Sequence, residues 1–277
     1  MSRLSRSLRR IRDRFRTVRR LERIPSQVLP VVSSYVRGSE YAARWSAAAP
    51  PADDADSPRR SPNPLWDYFS QHTAGPGLWK WEHYFDVYHR HMQRFVGRAV
   101  DVLEIGIYSG GSLGMWQAYF GSQCHVHGVD IEPACRAYAK EEVTVYIGDQ
   151  ADRSFWQQFK REVAGIDVLI DDGGHTPEQQ TVTLEELLPH LRPGGVYLCE
   201  DVTGLENRFA AYAAGLVNQL NAHTLLPGEE LKSAVTPFQQ AVYAIHFYPF
   251  VVVIEKQLTR PAEFVAPRQG SEWQPFL

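Results

Sequence analysis

Between residues 99 and 199, short apolar runs alternate with helix-length stretches. The runs cover residues 100–105, 125–130, 143–147, 167–171 and 196–199. Between them, residues 112–119, 133–140, 153–163 and 177–191 read as helices, and 205–221 as one more. Strand and helix in strict alternation predict an α/β fold, a doubly wound, Rossmann-like parallel sheet covered on both faces. Pro193-Gly194-Gly195 predicts a helix exit and a turn into the fifth strand. Two further runs, 241–247 and 250–256, are separated only by Tyr248-Pro249 and predict an antiparallel hairpin.

Two of these strands end in acids. One run stops at Asp171-Asp172-Gly173-Gly174-His175, the next at Glu200-Asp201. Two strands flanking one helix form a parallel βαβ unit, so both clusters fall on one edge of the sheet, the edge where open α/β sheets bind ligands. Crowded carboxylates repel one another unless a cation neutralises them. Hard oxygen donors suit Mg²⁺, Ca²⁺ or Mn²⁺. His175 offers a base beside them. Taken singly, Asp172 or Asp201 reads equally well as a helix cap and His175 as a loop histidine. Asp171 competes with Asp172 for the role of ligand.

The first strand runs into Glu104-Ile105-Gly106-Ile107-Tyr108-Ser109-Gly110-Gly111-Ser112. Glycines at this place let the backbone turn sharply and approach a ligand, with a helix N-terminus behind. A dinucleotide loop would read G-x-G-x-x-G, but position 108 is Tyr, which counts against a nicotinamide-dependent oxidoreductase. Glu104 repels a diphosphate and attracts an ammonium. Asp130 ends the second strand 24 positions after Gly106 and suits ribose hydroxyls. Asp149 and Gln150, after the third strand, suit an adenine edge. A nucleoside with a cationic amino-acid tail, S-adenosylmethionine, fits this set.

Glu-Ile-Gly-x-x-x-Gly-Gly-Ser, Val-Asp-Ile-Glu-Pro, Gly-Asp-Gln, Asp-Asp-Gly-Gly-His and Pro-Gly-Gly-x-Tyr-x-x-Glu-Asp occur in this order over about residues 99–256. Together they resemble the class I S-adenosylmethionine-dependent methyltransferases. The resemblance is closest to the Mg²⁺-dependent sugar O-methyltransferases of the macrocin and mycinamicin type and the cephalosporin-hydroxylase-like and rhamnosyl O-methyltransferases. It implies a seven-strand sheet of order 3-2-1-4-5-7-6 with strand 7 antiparallel. It implies Asp172, Glu200 and Asp201 as Mg²⁺ ligands, His175 as base, and Glu104, Gly106 and Asp130 as cofactor contacts. Ser109, Gly110 and Ser112 complete the cofactor loop. Gly174 departs from the pattern, since relatives often carry Ser. The expected reaction is methylation of a hydroxyl on a sugar or glycoside, in a natural product, polysaccharide or glycolipid. Mg²⁺ would chelate two neighbouring hydroxyls, and His175 would remove one proton. A catechol-like phenol also offers two adjacent oxygens. A non-catalytic, membrane-recruited cofactor-binding protein leaves the acids and His175 unexplained.

Charge divides the chain. The net charge is −3, yet residues 1–23 hold ten Arg against Asp13 and Glu22, or +8, so the remainder carries −11. That excludes a nucleic-acid-binding body, which would show a basic face. Apolar Leu4, Leu8, Ile11, Phe15 and Val18 mark one face of a basic amphipathic helix. Such an arm suits its own acidic body, a second subunit in a homo-oligomer, or peripheral contact with an anionic membrane. The expected organisation is a basic arm over 1–45, a disordered linker over 46–64 and an aromatic-rich helical cap over 65–98. A methyltransferase domain over 99–256 and a tail over 257–277 follow. Three Cys without metal spacing suit buried thiols in a reducing, cytoplasmic setting. The start has no apolar h-region of a secretory signal, and no run reaches the roughly 20 apolar residues of a membrane span.

Overall fold

A computed structural model of the chain describes residues 25–44, 62–228 and 231–271. The chain divides into two units, Met1–Arg60 and Ser61–Leu277. In the first, the described residues form α1 (Pro25–Ala43). The basic face over residues 4–18 and most of the predicted linker lie outside the described residues. Residues 63 and 64, placed in that linker, belong to the second unit. There the Asn63 side chain accepts from the Leu65 and Trp66 amides and Pro64 takes the first position of α2 (Pro64–Gln71). The aromatic segment continues in α3 (Tyr84–Met92).

The predicted alternation follows as β1 (Val100–Ile105), α4 (Gly111–Phe120), β2 (Cys124–Asp130), β3 (Val143–Ile147), α5 (Arg153–Glu162), β4 (Ile166–Asp171), α6 (Pro177–Leu187), β5 (Leu191–Cys199) and α7 (Arg208–Leu220). The hairpin is β8 (Val242–Tyr248) and β9 (Val251–Lys256), entered through α8 (Pro237–Ala241). The main sheet has the order β3-β2-β1-β4-β5-β9-β8. Its pairs are parallel except β5–β9 and β8–β9. Counted within this sheet, that is 3-2-1-4-5-7-6 with the seventh strand reversed, as expected.

Strand alternation builds two cores. Val102, Val126, Val168, Val196 and Val253 point to one face, where Leu65, Phe85, Tyr88 and Trp116 of α2, α3 and α4 cover them. Leu103, Leu169, Tyr197 and Val252 point to the other, under Trp156, Leu184 and Phe209 of α5, α6 and α7. The aromatic segment is therefore largely one layer of the domain core.

Two expectations are corrected. Helix α6 ends at Leu187, and Pro193-Gly194-Gly195 lies inside β5 rather than before it. There the β4–β5 register slips, with Ile166 opposite Leu191 but Val168 opposite Val196, and Gly194 turns at φ 75°. A bulge is one of the few places where a strand accepts Pro. Residues Pro133–Tyr138 form a 3₁₀ helix, not an α-helix. A second sheet, β10-β7-β6, was not predicted; β6 (Leu225–Leu226), β7 (Leu231–Ala234) and β10 (Glu263–Ala266) are too short to carry a period.

Candidate active site

The site forms where β1, β4 and β5 end. Ile105 pairs with Asp171, and Asp171 with Cys199, so the next residues, Gly106, Asp172 and Glu200, meet at the carboxyl edge. Gly106 turns at φ 83°, and a Cβ there would stand 2.0 Å from the Asp172 carbonyl oxygen. Only glycine lets the two strand ends approach so closely. Tyr108, His175 and Asp201 adopt φ of 44°, 56° and 53°. Holding non-glycine residues in this left-handed region costs on the order of 1–3 kcal/mol each, strain that concentrates at functional sites.

A cavity of about 930 Å³ opens over this edge. Its lining includes Gly106, Ser109, Ser112, Asp130, Asp149, Gln150, Asp172, His175, Glu200 and Asp201. Asp130 accepts the Tyr108 amide at 3.0 Å and the Glu132 amide at 2.9 Å, which fixes the loop beside the cavity. Of the expected cofactor residues, Gly110 is not in the lining; its φ of 76° starts α4. Glu104 lies beneath the lining, fully buried, and accepts from the Ser112 hydroxyl at 2.7 Å. Its Oε1 is buried without a hydrogen-bond partner. Gln150 lines the cavity, but its amide serves the protein. It donates to Asp171 at 2.9 Å and accepts from the Gly174 amide at 2.7 Å, so it braces the acidic loop rather than presenting a free edge to adenine. Asp149 is exposed and caps the Ala151 amide.

Asp172, not Asp171, faces the cavity. Asp171 is buried among Gln150 and Tyr197, and that burial pushes its carboxyl up to about 6. His175 Nε2 stands 3.8 Å from Asp172 and 3.6 Å from Asp201, and its Nδ1 is buried without a partner. These three residues each offer a ligand atom within 4.8 Å of the others. Glu200, expected beside them as the third ligand, is held differently. Its carboxylate accepts from Lys80 Nζ at 3.1 and 3.2 Å and from the Tyr88 hydroxyl at 2.6 Å.

Lys80 was not anticipated from the sequence. Its Nζ is buried, 2.5 Å from Asp172, 3.1 Å from Glu200 and 3.6 Å from Glu104. Burial opposes its charge, but the three carboxylates outweigh burial and hold the ammonium well above the usual lysine value. Burial and the Asp172 charge push Glu200 upward, with Lys80 and Tyr88 opposing. Tyr84 and Trp81 donate to Asp201 Oδ1 at 2.7 and 3.0 Å. Four carboxylates thus surround the edge (Glu104, Asp172, Glu200, Asp201) against one lysine. That excess of negative charge, with Asp172, His175 and Asp201 converging, fits a divalent cation. Glu104 Oε1, near the glycine loop, accepts no hydrogen bond and has the Lys80 ammonium 3.6 Å away. The only sequence signal for Lys80 was a lone cation between Trp79 and Trp81. For Tyr84 and Tyr88 the signal was their four-residue spacing on one helix face.

A sheet of this order, closed at β1 by a glycine loop and lined by acids at β4 and β5, has the architecture of a class I methyltransferase. Residues 103–202 match the family model described as a methyltransferase domain. Among curated proteins, the chain is similar to 8-demethyl-8-alpha-L-rhamnosyl tetracenomycin-C 2'-O-methyltransferase of Streptomyces olivaceus. The two are 30% identical over 66% of this chain and 52% of that one. It is also similar to demethylmacrocin O-methyltransferase of Streptomyces fradiae, 37% identical over 42% of this chain and 30% of that one. Against these two relatives, the match spans about half the length of one and a third of the other. Among solved structures, the MycE methyltransferase from the mycinamycin biosynthetic pathway, in complex with Mg, SAH and mycinamycin VI, superposes with a TM-score of 0.56. It is 25% identical, over 72% of this chain and 54% of that chain. Among the described residues no helix is long and apolar enough to cross a membrane.

Proposed function

We propose that this chain transfers a methyl group from S-adenosylmethionine to a hydroxyl of a sugar or glycoside, with Mg²⁺ as a second cofactor. The observation that carries the reading is the edge of three carboxylates, Asp172, Glu200 and Asp201, beside His175, open to one cavity that also holds the glycine loop. Similar proteins named as rhamnosyl and macrolide O-methyltransferases, and a similar structure solved with Mg and SAH, support it.

The donor would lie over Gly106 and Ser109, its ribose at Asp130 and its ammonium toward Glu104. Asp172 and Asp201, with Glu200 behind them, would hold the ion. A divalent ion at this place supplies Lewis-acid polarisation of the acceptor oxygen. His175 accepts the hydroxyl proton as the oxygen attacks the sulfonium methyl; a C–O bond forms, the C–S bond breaks, and S-adenosylhomocysteine leaves. The left-handed backbone at His175 and the Tyr84 and Trp81 bonds to Asp201 keep these groups aligned, which is the larger part of catalysis in an in-line transfer. Trp79 and Trp81, 89% and 53% exposed at the cavity mouth, offer flat apolar faces to a sugar ring or its aglycone.

The test is a panel of glycosides incubated with labelled donor, with Mg²⁺ and with EDTA, beside calorimetric titration with S-adenosylhomocysteine. Donor binding and Mg²⁺-dependent label transfer are expected. Full activity in EDTA would remove the metal from the scheme, and absence of donor binding would remove the reading. The +8 arm over residues 1–23 is proposed to contact an anionic lipid surface or, failing that, a second copy of the chain.

A further inference from the structure

At the far edge of the sheet, away from the cavity, two histidines and a carboxylate converge from three elements. His91 lies in the last turn of α3, His246 in β8 and Glu255 in β9. His91 Nδ1 is 3.3 Å from Glu255 Oε1, His246 Nε2 is 3.2 Å from Glu255 Oε2, and the two ring centroids are 4.7 Å apart. We propose that His91, His246 and Glu255 form a binding site for a borderline divalent transition ion of the Zn²⁺ type, distinct from the acidic edge.

Two ligand atoms held about 2.0–2.1 Å from a tetrahedral ion stand roughly 3.3–3.4 Å apart, as those bond lengths require. The 3.2 and 3.3 Å contacts match that spacing. They sit at the long end of the roughly 2.7–3.2 Å range of a direct hydrogen bond. Two imidazoles and one carboxylate are a donor set that favours Zn²⁺ over Mg²⁺. Tyr248 stands 2.9 Å from His91 Nε2 and fixes the ring through its other nitrogen, the outer-shell contact that orients a ligating histidine. His91 and Glu255 are buried, while the His246 side chain is 34% exposed, which leaves an entry path and a fourth position for water. Arg94 donates to Glu255 Oε1 at 2.7 Å and so competes with the ion for that oxygen. The ion would tie α3, whose Tyr84 and Tyr88 reach Asp201 and Glu200, to the β8–β9 hairpin.

The test is titration of metal-free full-length protein with Co²⁺ and Zn²⁺, reading the visible Co²⁺ spectrum and the melting temperature. The wild type and Asp201→Asn, which alters the acidic edge only, should both take up one equivalent with the intense bands of a tetrahedral nitrogen-rich site, over and above any ion held by the acidic edge. His246→Gln should bind at least tenfold more weakly and lose the Zn²⁺-induced rise in melting temperature. Arg94→Gln should bind more tightly than wild type; it lies outside the ligand set and gives a second reading should His246→Gln fold poorly. Uptake that depends on Asp201 alone, Zn²⁺ affinity unchanged in His246→Gln, or affinity unchanged in Arg94→Gln would overturn the site.

Discussion

Lys80 and His175 hold opposite positions in the acidic cluster, and each can be removed with a distinct result. Lys80 is the one cation among buried acids, so Lys80→Met leaves Asp172 and Glu200 uncompensated. Breaking a buried pair in this way costs on the order of 3–5 kcal/mol. A divalent ion on the same acids would return part of that loss. Denaturant unfolding should therefore show a larger Mg²⁺-induced stabilisation in Lys80→Met than in wild type; equal stabilisation would place the ion elsewhere. His175 is half-exposed and contributes little to the core, so His175→Ala should keep donor affinity and stability. Its kcat should fall on the order of 10²-fold or more, the usual contribution of a general base. The acids were legible because each terminates an apolar run, and a strand end has only one edge to occupy. Lys80 was not, because it reaches Asp172 from 92 residues away on a segment without periodicity. Gln150 was legible as a strand-end residue but not as a brace, since its partners Asp171 and Thr183 come from β4 and α6.

At the scale of elements, β2 carries a pH dependence that its sequence shows only as an alternation. His127 points from β2 into the core side of α5, beside Tyr146 and Phe159, with Asp101 3.3 Å from its Nε2. Burial, with His125 adding to it, lowers its pKa below the ordinary 6.5. The unfolded chain then takes up this proton more readily than the folded one. The stability His127 confers is complete above about 6.5 and is lost as pH falls from there through its lowered folded value. His190, half-buried against the Val163 carbonyl, shifts the same way. The raised Asp171 carboxyl acts in the opposite sense over the same range, so the His127 contribution is read as a difference between two proteins that share it. The urea midpoint of the wild type relative to His127→Gln should fall between pH 7 and pH 5; a difference that does not change with pH would refute the assignment. The sheet order and the hairpin were readable from periods of two and a two-residue connection. The β5 bulge was not, because Pro193-Gly194 reads the same in a turn and in an interrupted strand.

At the scale of the whole molecule, the chain's charge and its chemistry are carried by different parts. Among the described residues, both cores draw on residues 65–254 and the cavity lining on 77–203. Residues 1–23 carry +8 against −11 for the rest. A variant lacking residues 1–60 should therefore bind S-adenosylhomocysteine within about threefold of the full chain, since none of the groups proposed to touch the donor is removed. Its association with anionic vesicles should change more. Ten arginines at roughly 1 kcal/mol each near a charged surface outweigh any contribution from an acidic body, which the same surface repels. Co-sedimentation with phosphatidylserine vesicles at low and high salt measures this. Full-length protein should sediment at low salt and release as the Debye length shrinks from about 10 Å at 0.1 M toward 3 Å at 1 M. The truncated protein should stay in solution at both. Equal sedimentation of the two would show that the arginines do not act as a membrane arm, and would turn attention to a second copy of the chain as the partner of this segment.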